Sequence, residues 1–185
     1  MRHSAPAGYS LIELTVAVAA LALVALVAAP DPRAHDETQA RAAHARYAAA
    51  FAFARSEALR SARTHGLEVA AGTGVVRVFS ADTTVHPLDT STTVREPLSR
   101  QPYHLAPGRG GISHRATLSV TGQPFDYADQ GGKPIVLFDG RGIPHWIKTN
   151  TQQRFRLVDG RFTVAVGNSA FEVVLEPITG RVLPP

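Results

Sequence analysis

Histidine is the side chain most often recruited to hold a metal or to move a proton near neutral pH. Five of them, His65, His86, His104, His114 and His145, are spread over the later part of this 185-residue chain. A metal site built on one helix or one hairpin needs a second ligand at a short, fixed spacing. None of the five has one, so they read as loop or surface histidines. The run Asp126-Tyr127-Ala128-Asp129 sets two carboxylates three apart, but a calcium loop needs a longer ligand series and a closing glutamate. Gly108-Arg109-Gly110-Gly111 is glycine-rich yet lacks the Lys-Ser/Thr that completes a phosphate loop. No serine sits in a nucleophile elbow. Cysteine is absent, which removes thiolate nucleophiles, zinc thiolate clusters and disulfides together. These residues offer no catalytic set, no metal site and no cofactor site, and the chain reads as something other than an enzyme.

One ionisable residue stands out by its surroundings. Glu13 lies near the start of GYSLIELTVAVAALALVALVAA, and no further charge occurs before Asp31. As a helix, Tyr9–Ala29 would extend about 30 Å, the thickness of a bilayer's hydrocarbon core. Arg2 and the amino terminus precede it, which favours a cytoplasmic N-terminus with the remainder outside. A cleavable secretory signal is a competing reading, with Val27-Ala28-Ala29 as a small-residue cleavage site. Pro30 directly after that cut, and an acid within the apolar run, count against it. A carboxylate deep in a membrane costs on the order of 2.5–3.5 kcal/mol on insertion scales, so the acid needs a reason.

GYSLIEL resembles the processing signature of type IV prepilins and pseudopilins: a glycine, an aromatic or apolar residue, a short run ending in glutamate, then an apolar helix. The resemblance implies that a membrane-embedded prepilin peptidase cuts after Gly8, on the cytoplasmic side, and that the same enzyme methylates the new amino terminus on Tyr9. It also implies a role for Glu13 in subunit assembly, pairing with the amino terminus of a neighbouring subunit. Elementary chemistry agrees with each part. Gly8 has no side chain, so the backbone beside the cut can enter a tight site in an extended form. Glu13 lies four residues past Tyr9, one helical turn from the new terminus. Opposite charges paired in a low dielectric set register, because a misfit leaves a buried charge alone. Phenylalanine is the family's usual first mature residue; Tyr9 keeps the aromatic bulk. Ser4-Ala5-Pro6-Ala7 stands where basic residues are common.

The elements that must position this segment follow from the rest of the chain. Pro30-Asp31-Pro32 interrupts the helical pattern. Beyond it, Tyr47, Phe51, Ala54 and Ala58 fall at spacings of four, three and four, one apolar face of a helix, with Gly66 as its stop. Arg41, Arg46, Arg55, Arg60 and Arg63 occupy other positions and read as a solvated face. After Gly66 the pattern turns to short alternating runs, LEVAA, VVRVF, ATLSV, PIVLF, QRFRLV, RFTVAV and AFEVVLE, with turn pairs at Asp159-Gly160, Gly167-Asn168 and Thr179-Gly180. In RFRLVDGRFTVAV, Phe155 and Leu157 share one face and Phe162, Val164 and Val166 another, which predicts a hairpin about a two-residue Asp-Gly turn. From Ser80 to Arg115 a polar stretch with Pro87, Pro97, Pro102 and Pro107 predicts a long irregular loop. The expected fold class is α+β. With the resemblance included, the chain divides into a leader peptide over 1–8, a transmembrane assembly helix over 9–29, an amphipathic helical continuation over 30–66 and an antiparallel β-sheet domain over 67–185.

A long N-terminal helix followed by an antiparallel sheet is pilin-like. The later chain is similar to the H-type minor pseudopilins and their pilus relatives, the GspH/FimT-type group. The features are an apolar strand ahead of a turn in PIVLFDGRG, hairpins over 154–176, and a terminal Gly180-Arg181. The resemblance implies a minor pseudopilin of a type II secretion system, single-pass in the bacterial inner membrane, with its C-terminal domain in the periplasm. Its partners would be other pseudopilins in a hetero-oligomeric fibre, the prepilin peptidase/methyltransferase, and a secreted cargo protein. The alternative is a minor type IV pilin, FimT-like, acting in pilus assembly or DNA uptake. Lys+Arg 19 against Asp+Glu 15 gives a net charge of +4, but the bases are scattered, whereas a nucleic-acid footprint needs a cluster. In DNA-binding relatives further basic residues follow the terminal Gly-Arg; here Val182-Leu183-Pro184-Pro185 follows. Nucleic acid is therefore not an expected partner.

Overall fold

The computed structural model describes residues 10–28, 32–70, 72–85, 89–109, 111–119, 123–148 and 151–184. Gly8, Tyr9, Pro30, Asp31 and His86 of the sequence reading fall outside these. The chain divides into two units, residues 1–35 and 36–185.

The first unit carries helix α1, Leu11–Ala28. Every residue from Ile12 on is apolar except Glu13 and Thr15, and leucine and alanine are strong helix formers. At 18 residues it is about 27 Å long. Among the described residues no helix is long and apolar enough to cross a membrane. The span expected over 9–29 is reduced, in the described residues, to this shorter helix.

Helix α2, Pro32–Ser61, begins on a proline, whose fixed φ and missing N–H suit the first helical position. Tyr47, Phe51, Ala54 and Ala58 are all buried, joined by Ala40, Ala43 and Ala50 on the same stripe. The alanines let the helix lie close against the sheet. Its aromatic residues reach further in: Phe51 stacks on Phe162 and meets Phe125 edge-on, while Tyr47 meets Phe162 edge-on. The Tyr47 hydroxyl donates to the Gly74 carbonyl at 2.8 Å. The helix stops earlier than Gly66. Ala62 takes the left-handed conformation at φ 54°, and Gly66 belongs to the first strand instead. A Cβ on Gly66 would meet Leu137 at 2.7 Å and the Phe79 ring closer still, so the missing side chain serves packing rather than termination.

Among the described residues the sheet is antiparallel throughout and has ten strands: β1 His65–Ala70, β2 Val75–Ser80, β3 His104–Leu105, β4 Ala116–Ser119, β5 Phe125–Tyr127, β6 Gly131–Lys133, β7 Ile135–Phe138, β8 Pro144–Ile147, β9 Arg154–Val166 and β10 Ser169–Val174. Its order is β3-β2-β1-β7-β8-β9-β5-β6, with β4 and β10 also paired to β9. One face packs on α2 through Leu67, Val69, Val76, Val78, Val136, Phe138, Leu157 and Phe162. Phe79, Ala81, Leu137 and Ile147 form a smaller apolar cluster of their own, because alternate residues of β2 and β7 point the other way.

The hairpin expected at Asp159-Gly160 is not there. β9 runs straight through both residues for 13 positions. Its burial alternates on odd numbers up to Leu157 and on even numbers from Gly160. The switch is a bulge: Asp159 faces Asp126, Leu157 faces Tyr127, and Val158 between them has no partner. A change of parity can mean a turn or a bulge, and here the bulge wins because Gly160 is buried against Leu157, Phe125 and Leu175. The hairpin in this region lies one pair later, where Val166 faces Ser169 across Gly167-Asn168. The stretch from 80 to 115 is also less irregular than expected. Thr93 bridges to Phe79, Pro102 to Arg95, and β3 returns to the sheet edge beside β2.

Candidate assembly interface

The N-terminus of α1 is built by Ser10. Its carbonyl accepts the Leu14 N–H at 3.1 Å and its hydroxyl accepts the Ile12 N–H at 3.3 Å, which makes it the helix cap. Glu13 stands three residues on, in the first turn, the place where a carboxylate complements both the cap and the positive end of the helix dipole. The pattern Ser-x-x-Glu was legible in GYSLIE, yet the sequence reading attached no role to Ser10. This local benefit is about 0.3–1 kcal/mol, below the roughly 2.5–3.5 kcal/mol charged for a carboxylate at mid-membrane depth.

The large side chains of α1 from Leu11 to Val24 are exposed, from 58% at Val18 to 79% at Leu11. They point in every direction around the axis, with no polar face. A helix apolar all round is covered in its working state, by lipid or by other helices.

The arginines of α2 form more than a solvated face. Arg41 pairs with Glu37 at 2.8 Å and lies over the Phe171 ring, and Arg60 pairs with Glu57 at 2.6 Å. Arg63 lies beyond the end of the helix. Arg46 rests its guanidinium against Gly111. Arg55 departs furthest from the expectation: its Nε–H is shared between the carbonyls of Thr179 at 2.8 Å and Gly142 at 3.3 Å. Near the start of α2, buried Asp36 pairs with Arg115 at 2.9 Å. Helix, turns and sheet edge are thus tied into one body by charged groups on backbone or on each other.

Residues 43–175 match the family of type II transport protein GspH. That span takes in α2 from its twelfth residue onward, most of the helix-facing core and all ten strands described. The chain belongs to the GspH family. No curated protein and no solved structure matches it. The GspH family is one of type II secretion pseudopilins, structural subunits of the envelope machinery that associate with other pseudopilins. The matched residues begin after α1, so Glu13 stands outside the GspH match.

Within the GspH domain the histidines divide. His104 and His114 are exposed, as expected. His65 and His145 are buried, a correction to the surface reading, because β1 and β8 carry them into the sheet. The Nδ1–H of His145 donates to the Ile143 carbonyl at 3.2 Å, and that of His65 to the Arg63 carbonyl at 3.2 Å. Burial pushes the His145 pKa below its ordinary 6.5; the Ile143 carbonyl and Asp139 pull it up, and Arg154 adds to the lowering. His44 on α2 is buried against Phe171. Burial lowers it too, against the Glu172 carbonyl. Asp126 lies on β5 and Asp129 in the turn after it, at φ 63°. Among the described residues no three His, Cys, Asp or Glu side chains lie close enough to hold a metal ion.

Proposed function

We propose that the chain is a minor pseudopilin of a type II secretion system, a structural subunit of the pseudopilus that helps export folded proteins across the outer membrane. The observation that carries this reading is the GspH match over residues 43–175. Two others support it: α1 exposes apolar side chains on all sides, and Glu13 interrupts them within its first turn.

In this reading the leader ends at Gly8, Tyr9 becomes the methylated first residue, and residues 9–29 act as the transmembrane assembly helix in the inner membrane. The domain from about residue 30 onward lies in the periplasm. Glu13 pairs with the amino terminus of a neighbouring subunit and sets its register. The β domain meets other pseudopilins or a cargo protein.

The test is a clean deletion strain, with secreted hydrolase activity measured in the medium and in the cells. Active enzyme retained in the periplasm, and released again when the wild-type gene is restored, is the expected result. Normal secretion accompanied by lost twitching or DNA uptake would replace this reading with a FimT-like minor type IV pilin.

A further inference from the structure

The glycine-rich run at 108–111, which fits no phosphate loop, has a different use in the fold. Its backbone closes on itself: Gly108 N–H donates to the Ile112 carbonyl, Arg109 N–H to Ala106, and Ile112 N–H to Arg109. Gly108 and Gly111 hold φ of 79° and 78°, conformations that L side chains rarely adopt. The turn places Arg109 in the lining of a cleft of about 710 Å³ that Arg46 of α2 also lines. A Cβ at Gly111 would stand 3.1 Å from Arg46 Nη2, so the glycine is also the seat of that guanidinium. Tyr103 lines the same cleft, its ring stacked on Phe53 at 4.6 Å.

Among the described residues, neither Arg46 nor Arg109 has a side-chain hydrogen bond or an acidic partner, and the Tyr103 hydroxyl has no hydrogen bond. Arg41, Arg55 and Arg60 of the same helix are, by contrast, each engaged on a carboxylate or a carbonyl. Glu96, the acid that lines the cleft, is held by the Ser99 hydroxyl at 2.5 Å rather than by either guanidinium. Burial pushes the Tyr103 phenol above its ordinary value, with Glu96 adding to the rise and Arg46 opposing it, so the group stays a donor near neutral pH.

We propose that Arg46, Arg109 and Tyr103 form a clamp for a carboxylate side chain on an acidic segment of a partner protein. Guanidinium forks match carboxylates in two-point geometry, and a phenol in the same cleft supplies a further donor. Two guanidiniums against the single acid Glu96, with one aromatic ring, suit one carboxylate. They do not suit a phosphate backbone, which needs a continuous basic track and serial stacking. The clamp goes beyond the secretion reading and does not depend on it.

The test uses the full chain in neutral detergent micelles. Fluorescence anisotropy follows a fluorescein-labelled oligoglutamate peptide, with oligoglutamine and oligothymidylate of equal length as competitors in separate arms. Oligoglutamate should bind and oligoglutamine should not. Arg46→Gln and Arg109→Gln should each weaken binding roughly tenfold or more, as loss of a charge-assisted hydrogen bond does. Gly111→Ala should weaken it as well, although it removes no charge. Arg156→Gln, an exposed arginine on β9 outside the cleft, should leave it unchanged. Equal losses for Arg156→Gln and the clamp variants, or no binding of oligoglutamate, would overturn the proposal. Tighter binding of oligothymidylate would overturn it in favour of single-stranded nucleic acid.

Discussion

The Nε–H of Arg55 donates to the carbonyl of Thr179 at 2.8 Å, joining α2 to a turn 124 residues further on. The same group reaches Gly142, so one guanidinium satisfies two turns that would otherwise present bare carbonyls beside the helix. Gly180, next to Thr179, is packed so that a Cβ would stand 3.0 Å from the Gly142 carbonyl oxygen. Arg55 thus ties α2 to both turns where they pack together.

Arg55→Ala should therefore destabilise the domain by about 1.5–3 kcal/mol, the usual cost of losing a hydrogen bond to a charged group. Arg55→Lys should recover only part of it, since an ammonium lacks the planar donor set. Urea denaturation midpoints of the full chain in detergent, at constant slope, measure both. A midpoint for Arg55→Ala equal to that of wild type would show that the two carbonyls are as well served by water.

Gly66→Ala tests the packing role of that glycine. A methyl group there is driven against Phe79 and Leu137, and overpacking of this kind costs about 1–3 kcal/mol. If Gly66 ended the helix instead, the substitution would shorten or lengthen α2 and leave the sheet stable. Circular dichroism together with the unfolding midpoint separates the two.

His44 and His145 both lie below the ordinary histidine value of 6.5, chiefly through burial. Their unfolded forms take up protons first as the pH falls, so the stability they contribute is complete above 6.5. It is lost as the pH drops from there through their folded values. Unfolding free energy should be flat above neutrality and should fall below it, by at most about 1.4 kcal/mol per pH unit for each histidine. Asp139 adds a separate loss further down. Burial pushes its carboxyl up, but the Ile143 and Arg141 N–H groups, with His145 and Arg141, carry it below its ordinary 3.8. His145→Gln should shrink the first phase to the share of His44 and leave most of the second in place. An unchanged first phase in that variant would remove His145 from the account.

Glu13→Ala should leave processing after Gly8 intact while incorporation into the fibre falls. Intact mass of the purified protein reads the first, where a chain starting at N-methylated Tyr9 is expected. Co-purification with other pseudopilins reads the second. Glu13→Gln keeps the first-turn hydrogen-bonding shape and loses the charge, so it separates helix capping from ion pairing. Normal co-assembly of both variants would leave the carboxylate with its capping role alone.

How much of this was legible in the sequence depended on periodicity. The apolar face of α2 was readable at Tyr47, Phe51, Ala54 and Ala58 because four positions at helical spacing fix one stripe. The longer strands were readable for the same reason at a period of two. What failed were places where one residue type serves two structural ends. Asp-Gly fits a hairpin turn, and at 159–160 it instead follows a bulge in a continuous strand. Glycine ends helices, yet at 66 it admits an aromatic ring. Strands β3, β5, β6 and β8 have two to four residues each, β6 opening on Gly131-Gly132 and β8 on Pro144, so their own sequence carries too little preference to announce them. Neighbouring strands impose their extension. The burial of His65 and His145 followed from strands only partly anticipated. In the clamp, Arg46 and Arg109 are 63 positions apart in number, and nothing local relates them.

The central placement of β9 has a consequence for the order in which the molecule can form. A chain made from its N-terminus exposes Tyr47, Phe51 and Ala54 on α2 long before the strands that cover them exist. Phe162, which meets both aromatic residues, comes more than a hundred positions after them. β9 then supplies edges to β8, β5, β4 and β10 at once, so much of the sheet closes in one late event rather than strand by strand. Such distant pairings make folding slow, and the uncovered helix face is open to wrong partners while it waits. A nascent chain of this design has reason to be held by a chaperone until β9 has been delivered.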